Sequence, residues 1–187
     1  QLCLMTAQIA NGGFKIKPRI LSDEKNNDLR NYLKFKNENP NKSLPTNLKK
    51  AVVDLNPLFI NQENINLIKD AMFSSSNEPG GTSYRHRYED PKYTFAGKTG
   101  SSQIKRFTEE QRNAEVKQLD LNYKDRDHAL FIAFAPYKNP QYAISVVVEH
   151  GGSGGKAAAP IAKKVLKKVL ERHELREQVN SLTGESA

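Results

Sequence analysis

Two neighbouring segments near the C-terminal end are apolar on both faces, and this feature constrains the fold of the chain more than any other. Residues 129–136 read Ala-Leu-Phe-Ile-Ala-Phe-Ala-Pro, and residues 142–149 read Tyr-Ala-Ile-Ser-Val-Val-Val-Glu. Successive side chains of a strand point to opposite faces, so a strand that is apolar on both lies in a sheet covered on both sides. The sequence therefore predicts two central strands, Ala129–Pro136 and Tyr142–Glu149, in an α+β fold whose antiparallel sheet is covered by helices.

Two helices are predicted upstream of these strands. The first covers residues 2–11 and ends at Gly12-Gly13, which can adopt the left-handed conformation of a helix end. The second begins after the capping residue Asn61 and runs to about Ser74. Apolar residues recur at helical spacing in both, namely Leu2, Met5 and Ile9 in the first and Ile65, Ile68 and Met72 on the inner face of the second.

A last helix, over about Ala158–Arg172, carries one apolar and one basic stripe. The apolar stripe is predicted to cover the sheet, and the basic stripe to face solvent rather than nucleic acid or anionic lipid. Residues 173–187 are expected to form a polar tail that frays. The apolar stripe consists of Ile161, Val165, Leu166, Val169 and Leu170, and the basic stripe of Lys163, Lys164, Lys167 and Lys168.

The remaining segments are more polar. Residues 22–57 are rich in Asn, Lys, Asp and Pro and are expected to form a surface excursion from a domain that spans residues 1–172. A solvated helix is expected near Thr108 and Gln111, which have the spacing of a capping box. Short strands are expected at Phe14–Leu21, near Ala51–Leu55, and at Tyr93–Gly97, where the strand runs directly into Lys98-Thr99-Gly100.

Composition narrows the function classes. The formal net charge is +8, which suits anionic partners without choosing among them. The single cysteine, Cys3, excludes an internal disulfide, and the four histidines (His86, His128, His150 and His173) lack metal-ligand spacing, so no cofactor or metal is expected. No apolar run approaches the roughly 18 residues of a membrane span. Because the sequence begins in the middle of a helical pattern, we expect it to be part of a longer protein.

A glycine-rich loop, His150–Ala157, joins the second strand to the last helix and superficially has the layout of a phosphate-binding loop. The spacing does not fit, because the first required glycine falls on His150 and the required Ser or Thr falls on Ala157. Gly97-Lys98-Thr99 fails similarly at Lys92. The loop is therefore interpreted as a flexible turn, and nucleotide or nucleic-acid binding is not expected.

Lys98-Thr99-Gly100-Ser101 is more informative because of its context. It ends a predicted strand, follows a Pro-Gly-Gly-Thr turn, and precedes two core strands and a covering helix. In this context the sequence resembles the penicillin-recognising serine transpeptidase and β-lactamase-like fold, and more closely the class B penicillin-binding proteins of the elongation type (penicillin-binding protein 2), of which it looks like a C-terminal portion. The matching stretches are Leu4–Gly13, Glu78–Thr82, Ala96–Gln103, Asp127–Pro140, Val147–Gly155 and Ala159-Pro160.

The resemblance implies a peptidoglycan D,D-transpeptidase that cross-links stem peptides through a serine acyl-enzyme and binds β-lactams. It implies that Lys98 and Ser101 take part in catalysis, with Ser101 N–H as an oxyanion donor. It also implies a substrate-binding set of Lys98, Thr99, Gly100, Ser101 and Gln103, in which Lys98 and Thr99 contact the substrate carboxylate and Gly100 leaves room for the substrate backbone.

The other two family motifs are not found in a usable context. Ser22–Lys25 and Ser102–Lys105 both spell Ser-x-x-Lys, and Ser75-Ser76-Asn77 spells Ser-x-Asn in what is expected to be a turn. We therefore expect the nucleophile to lie upstream of Gln1, in a second half of the domain, and this chain alone to be inactive. Alternatives of the same fold are a non-catalytic β-lactam sensor, a β-lactamase and a carboxypeptidase.

The resemblance also implies a cellular setting. It places the parent protein on the periplasmic face of the bacterial inner membrane, through an N-terminal anchor outside this chain, with the cell-elongation machinery as partner. In the family, further strands pair beside the last strand. Without them Tyr142–Glu149 has an open edge, so the isolated chain is predicted to self-associate.

Overall fold

The computed structural model describes residues 1–18, 61–106 and 117–183, together with residues 35–36, 38–39, 42–43, 58 and 109. The predicted strand near Ala51–Leu55, the predicted helix at Thr108 and Gln111, and almost all of the 22–57 excursion lie outside the described residues. The helices and strands are, in chain order, α1 (Leu2–Ala10), α2 (Gln62–Asn77), β1 (Ala96–Ser102), β2 (His128–Ala135), β3 (Tyr142–Val148) and α3 (Ala159–Thr183). Short 3₁₀ turns lie at Tyr84–His86, Pro91–Tyr93, Gln118–Asp120 and Tyr123–Asp125, and a π-helical turn, Gly154–Ala158, leads into α3.

The three strands form one antiparallel sheet in the order β1-β2-β3. The two strands predicted from their apolar faces are confirmed, with ends that differ by only one residue. β2 is central, and Ile132 lies opposite Lys98 on one side and opposite Ser145 on the other. Among the described residues no strand pairs beyond β3, which differs from its predicted central position. Helices cover both faces, so the α+β class is confirmed.

The core lies on the two faces of β2. On one face, alternate residues of β2 pack with the alanines and leucines of α3; on the other, Phe134 packs with Ala10 of α1 and Met72 of α2. Burying apolar area on both faces is what stabilises a central strand. The first cluster contains Phe95, Ala129, Phe131, Ala133, Ala135, Ala158, Ala159, Ala162, Leu166 and Leu170, all at most 4% exposed.

The N-terminal helix is confirmed, but the strand predicted over Phe14–Leu21 is not formed in its described part, residues 14–18. Gly12 and Gly13 both have φ of +90°, and Gly13 N–H donates to the Gln8 carbonyl, which ends α1. Phe14 makes a single bridge, and residues 15–18 have no regular structure. The Asn11 side chain explains this, because its amide accepts from Phe14 N–H and donates to the Phe14 carbonyl. A side chain thus bonds backbone groups that a strand would use.

Helix α2 begins as predicted and ends later. Asn61 Oδ1 accepts from Glu63 N–H at 2.8 Å, which confirms the cap, but the helix continues to Asn77. Ile65 and Met72 are buried, whereas Ile68 is 40% exposed, so the prediction that Ile68 lies on the inner face is wrong. The buried stripe instead continues to Ser76, which contacts β1.

Helix α3 differs from its prediction in length and in the face it buries. It continues to Thr183 rather than ending near Arg172, so residues 173–183 are helical. Ala162, Leu166 and Leu170 are buried, but Ile161 and Val165 are each 44% exposed, and their predicted place against the sheet is wrong. The small side chain of Ala162 forms a narrow buried row with the two leucines at i+4 spacing, which turns Ile161 and Val165 outward.

Two tyrosines connect the helices to the loops. The Tyr88 hydroxyl donates to the Lys163 carbonyl of α3, and the Tyr137 hydroxyl donates to Asp70 of α2. Burial raises the pKa of each tyrosine to about 12, and Asp70 reinforces the effect on the pKa of Tyr137. Both hydroxyls therefore remain donors at neutral pH. No helix in the described part of the chain has the length and apolar composition required to cross a bilayer.

Candidate functional site

Lys98, Thr99 and Gly100 lie in the middle of β1, opposite Ile132, Phe131 and Leu130 of β2. The predicted strand over Tyr93–Gly97 is confirmed only at Ala96 and Gly97, which do run directly into the motif. Pro91–Tyr93 forms a 3₁₀ turn capped by the Asp90 side chain, which accepts from Lys92 N–H, and the strand begins only at Ala96. The motif is therefore in the strand itself. On the side of β1 away from β2, no further strand pairs within the described residues.

The C-terminal end of α2 contacts β1 through polar side chains. Ser76 is fully buried, and its hydroxyl donates to the Gly97 carbonyl at 3.2 Å and lies 3.1 Å from the Ser83 hydroxyl. Asn77 Nδ2 donates to the Phe95 carbonyl at 2.8 Å. From sequence, Ser75-Ser76-Asn77 is expected in a turn and not as a usable family motif. The structure places them in the last turn of α2, where they fix the start of β1.

The Pro-Gly-Gly-Thr turn directly follows this C-terminal end of α2 and contacts the same strand. The hydroxyl of Thr82 lies 3.0 Å from the hydroxyl of Thr99 and 3.3 Å from that of Ser75. A side chain at Gly81 would place Cβ 2.4 Å from the Ser75 carbonyl oxygen, so only glycine fits there. Thr99 is therefore the end of a chain of three hydroxyls that connects β1 to α2.

The glycine-rich loop packs behind β1 and does not behave as the simple turn that the sequence suggested. A Cβ at Gly154 would lie 2.3 Å from the Leu130 carbonyl oxygen and 2.5 Å from that of Gly100. The backbone of the loop thus lies directly on the pair Gly100–Leu130 that joins β1 to β2. Ser101 extends the contact, because its hydroxyl donates to the Gly152 carbonyl at 3.4 Å. Glycine is required here for close approach and not for phosphate binding.

His86 connects the loop to the turn. Its Nε2 lies 2.8 Å from the Gly155 carbonyl oxygen, and since a carbonyl only accepts, Nε2 carries the proton. Gly155 in turn lies against Thr82 and Thr99, because a Cβ there would be 2.9 Å from the Thr82 carbonyl oxygen and 3.6 Å from Thr99 Cγ2. The contact of His86 with the loop could not be predicted from the sequence, because no local motif surrounds this residue.

A surface pocket of about 380 Å³ lies in front of Lys98. Lys98 is exposed, and its ammonium donates to the Thr99 carbonyl at 2.9 Å, a contact that a ligand carboxylate at the strand edge would compete with. The pocket thus combines an exposed cation, three hydroxyls and a backbone turn. Its lining is Ala71, Ser74, Ser75, Glu78, Pro79, Gly80, Gly81, Thr82 and Lys98.

The other predicted residues are placed as follows. Ser101 and Ser102 end β1 and are exposed, and Gln103 lies just beyond the strand and is also exposed. Ser102 lies at a strand end rather than at a buried helix start, and Lys105 forms an ion pair with Asp125 at 3.0 Å. The Ser-x-x-Lys at 102–105 thus lacks the setting of a nucleophile. Ser22–Lys25 lies outside the described residues.

His128 and His150 are 22 positions apart in the sequence but in contact in the structure. The His128 and His150 rings are 5.0 Å apart, and His150 N–H donates to His128 Nδ1 at 3.0 Å. His150 has φ of +54°, an unusual value for a residue other than glycine. Within the described ranges, no group of three or more His, Cys, Asp and Glu side chains is arranged to hold a metal ion.

Comparison with protein families matches the chain over almost its whole length. The model of the penicillin binding protein transpeptidase domain matches residues 1–167. The peptidoglycan D,D-transpeptidase MrdA of Salmonella typhimurium is 44% identical over 101 residues, which cover 54% of this chain and 15% of the relative. MrdA of Escherichia coli K12 is 32% identical over 120 residues, which cover 64% of this chain and 18% of the relative. The chain therefore spans less than a fifth of the length of these curated relatives.

Solved structures agree with the sequence relatives. PBP2 of Pseudomonas aeruginosa, solved in complex with WCK 5153, superposes with a TM-score of 0.54 at 26% identity, over 88% of this chain and 27% of that one. PBP2 of Helicobacter pylori, solved in complex with MreC, gives a TM-score of 0.50 at 28% identity, over 70% and 20%.

Proposed function

Since this chain belongs to the family of penicillin-binding protein transpeptidase domains, we propose that it provides the Lys-Thr-Gly side of the active site of a peptidoglycan D,D-transpeptidase. The observation that carries the proposal is β1 itself: Lys98, Thr99 and Gly100 lie at a sheet edge without a further described strand, beside a pocket lined by hydroxyls. The names of the relatives support a transpeptidase over a β-lactamase or a carboxypeptidase.

In the proposed reaction, a serine hydroxyl attacks a peptide carbonyl of one stem peptide, forms an ester and releases the leaving amine. An amine of a second stem peptide then attacks the ester and restores the serine. We propose that this serine and its lysine base come from a segment N-terminal to residue 1, because Ser102–Lys105 lies at a strand end and Ser22–Lys25 belongs to the polar excursion of the sequence. A β-lactam would acylate the same serine by opening of its lactam C–N bond, and since the freed amine stays attached to the adduct, the resulting ester would persist.

Each residue of β1 has a proposed role. Lys98 would exchange its contact with the Thr99 carbonyl for the carboxylate of the substrate or the antibiotic and would assist proton transfer near the serine. Thr99 would donate to that carboxylate, with its hydroxyl oriented by Thr82. Gly100 leaves the strand edge open, Ser101 N–H would stabilise the developing oxyanion, and Gln103 would contact the substrate beyond the strand end.

The proposed setting follows the relatives. We propose that the full protein acts at the periplasmic face of the inner membrane, on peptidoglycan stem peptides. A partner from the cell-elongation machinery is proposed because PBP2 of H. pylori has been solved in complex with MreC. The domain of this chain would end near Arg172, with residues 173–187 as a polar extension that is helical up to Thr183.

Labelling with fluorescent penicillin tests the proposal. We expect the full-length natural protein to be labelled strongly, its Lys98→Ala variant to lose at least about 100-fold in labelling rate, and the 187-residue chain alone to remain unlabelled. Lys138→Ala, which removes an exposed lysine outside the pocket, is the matched control and should label normally. If the full-length protein is not labelled under any condition, or if Lys98→Ala labels at the normal rate, the proposal is wrong. Labelling without cross-linking of stem peptides would instead indicate a β-lactam sensor.

A further inference from the structure

The outer face of α3 is apolar, which the sequence did not predict. Ile161, Val165, Leu175, Val179 and Leu182 are between 44% and 87% exposed. At 100° per residue these five side chains fall on one stripe, on the side of α3 opposite to the buried Leu166 and Leu170. The stripe runs over about 32 Å of helix. Solvent-facing stripes of globular helices are normally polar, so this one differs from a simple solvated face.

Four cations lie on the same stripe. Lys164, Lys168, Arg172 and Arg176 follow one another at i+4 spacing, and all are exposed. Glu171 is the acidic residue beside them, and it forms ion pairs with Lys167 and Lys168. Glu174 and Glu177 do not pair with these four cations, since Glu174 contacts Lys92 and Glu177 contacts His173. The outer face of α3 therefore combines exposed apolar side chains towards its two ends with a row of cations from Lys164 to Arg176.

We propose that this face binds the surface of an anionic lipid bilayer, with α3 parallel to the membrane plane. Apolar side chains would enter the boundary between headgroups and acyl chains, and the long cationic side chains would extend to the lipid phosphates. A second copy of the chain fits less well, because Lys168 and Arg172 fall in the middle of the stripe and would face their own counterparts. The proposal rests on α3 alone and does not depend on the proposed enzymatic function.

Co-sedimentation with vesicles tests the proposal on the 187-residue chain. We expect binding to vesicles made of phosphatidylglycerol and phosphatidylcholine in equal parts, little binding to phosphatidylcholine alone, and weakening at about 0.5 M NaCl. Lys168→Gln with Arg172→Gln should weaken binding by about 10- to 30-fold, since each cation near the surface contributes about 1 kcal/mol. Leu175→Gln with Val179→Gln should weaken it by at least about tenfold. All four positions are exposed, so circular dichroism should show unchanged folding.

A charge-matched control separates this site from general attraction by a basic protein. Lys124→Gln with Lys138→Gln removes two exposed cations outside α3 and should leave vesicle binding within about twofold of the unchanged chain. Absence of binding to the anionic vesicles, or equal weakening in the control and the α3 charge variant, would overturn the proposal. A third outcome would also overturn the proposal: the chain forms a soluble dimer, Leu175→Gln with Val179→Gln dissociates that dimer, and no vesicles are bound. The face would then bind a second copy of the chain.

Discussion

The two outer strands of the sheet, β1 and β3, both pair with the central strand β2. Their contacts with the rest of the molecule differ. Each pairs with β2 over seven residues. Around β1 the contacts are polar or extremely close: Ser76 donates to its backbone, Thr82 meets Thr99, and Gly154 lies on Gly100. Around β3 the side chains are mostly half-buried, Val147 is 54% exposed, and a weak contact from Cys3 Sγ reaches the Ala143 carbonyl at 3.4 Å.

This difference shows that the contacts that fix the backbone position of β1 are of another kind from the apolar packing around β3. Apolar packing is tolerant of small shifts, whereas a hydroxyl at 3.0 Å or a glycine against a carbonyl fixes a backbone to within a few tenths of an ångström. The acyl-transfer site proposed for this chain would need that accuracy on the strand that carries its donors. Equivalent small substitutions should therefore be costly next to β1 and inexpensive on β3.

Gly154→Ala should have the largest effect. The added Cβ would lie 2.3 Å and 2.5 Å from the carbonyl oxygens of Leu130 and Gly100, both of which are backbone atoms in the sheet. Relief requires the loop to separate from β1, so we expect the free energy of unfolding to fall by about 3 kcal/mol or more in urea titrations. In the full-length protein we expect penicillin labelling to fall as well, because β1 would move.

Gly100→Ala is the matched control for this substitution. Its Cβ would meet only Leu130 Cβ at 3.5 Å, which is ordinary contact, so its free energy of unfolding should change by less than about 1 kcal/mol. Penicillin labelling of the full-length protein should nevertheless fall, because the added methyl group lies on the strand proposed to bind the substrate. Equal stability of the two variants would show that the loop does not support β1 as described.

The same contrast explains which parts of the fold could be predicted from sequence. β2 and β3 were identified correctly because apolar residues on both faces are a local pattern that survives in any context. The start of β1 was placed too early, since the aromatic run Tyr93–Phe95 has strand character but Tyr93 packs on Tyr88 from a 3₁₀ turn. The predicted buried stripe of α3 included Ile161 and Val165, which are exposed. The sequence does not show that the small side chain of Ala162 lets the helix pack on the sheet through Ala162, Leu166 and Leu170 alone.

The candidate site was predictable only in its motif. Lys98, Thr99 and Gly100 are predicted site residues through resemblance, and in the structure Lys98 lines the pocket while Thr99 and Gly100 follow it in β1. The residues that support them were missed, because Ser76, His86 and Gly154 act through contacts between segments 21 to 69 positions apart along the chain. No local spacing encodes such contacts, and a serine at a helix end or a glycine in a loop has an ordinary local explanation as well.

Ser76→Ala should have an intermediate effect. The substitution removes a fully buried hydroxyl that donates to the Gly97 carbonyl and contacts Ser83, so we expect a loss of about 1–3 kcal/mol in the free energy of unfolding. Ser74→Ala is the control on the same helix, at a half-buried position lining the pocket, and should change it by less than about 0.5 kcal/mol. If both variants lose the same small amount, the contact between α2 and β1 is not specific.

Val147→Lys should have the smallest effect on stability and a clear effect on association. Val147 is 54% exposed on β3, so its replacement should change the free energy of unfolding by less than about 0.5 kcal/mol. The 187-residue chain is predicted to self-associate through the edge of β3, and a lysine on such a strand opposes edge pairing by repulsion. Sedimentation velocity at high concentration should therefore show oligomers for the unchanged chain and for Val147→Thr, and a shift to monomer for Val147→Lys. A monomeric unchanged chain would contradict the edge prediction, and oligomers that respond to Leu175→Gln with Val179→Gln instead would assign the association to α3.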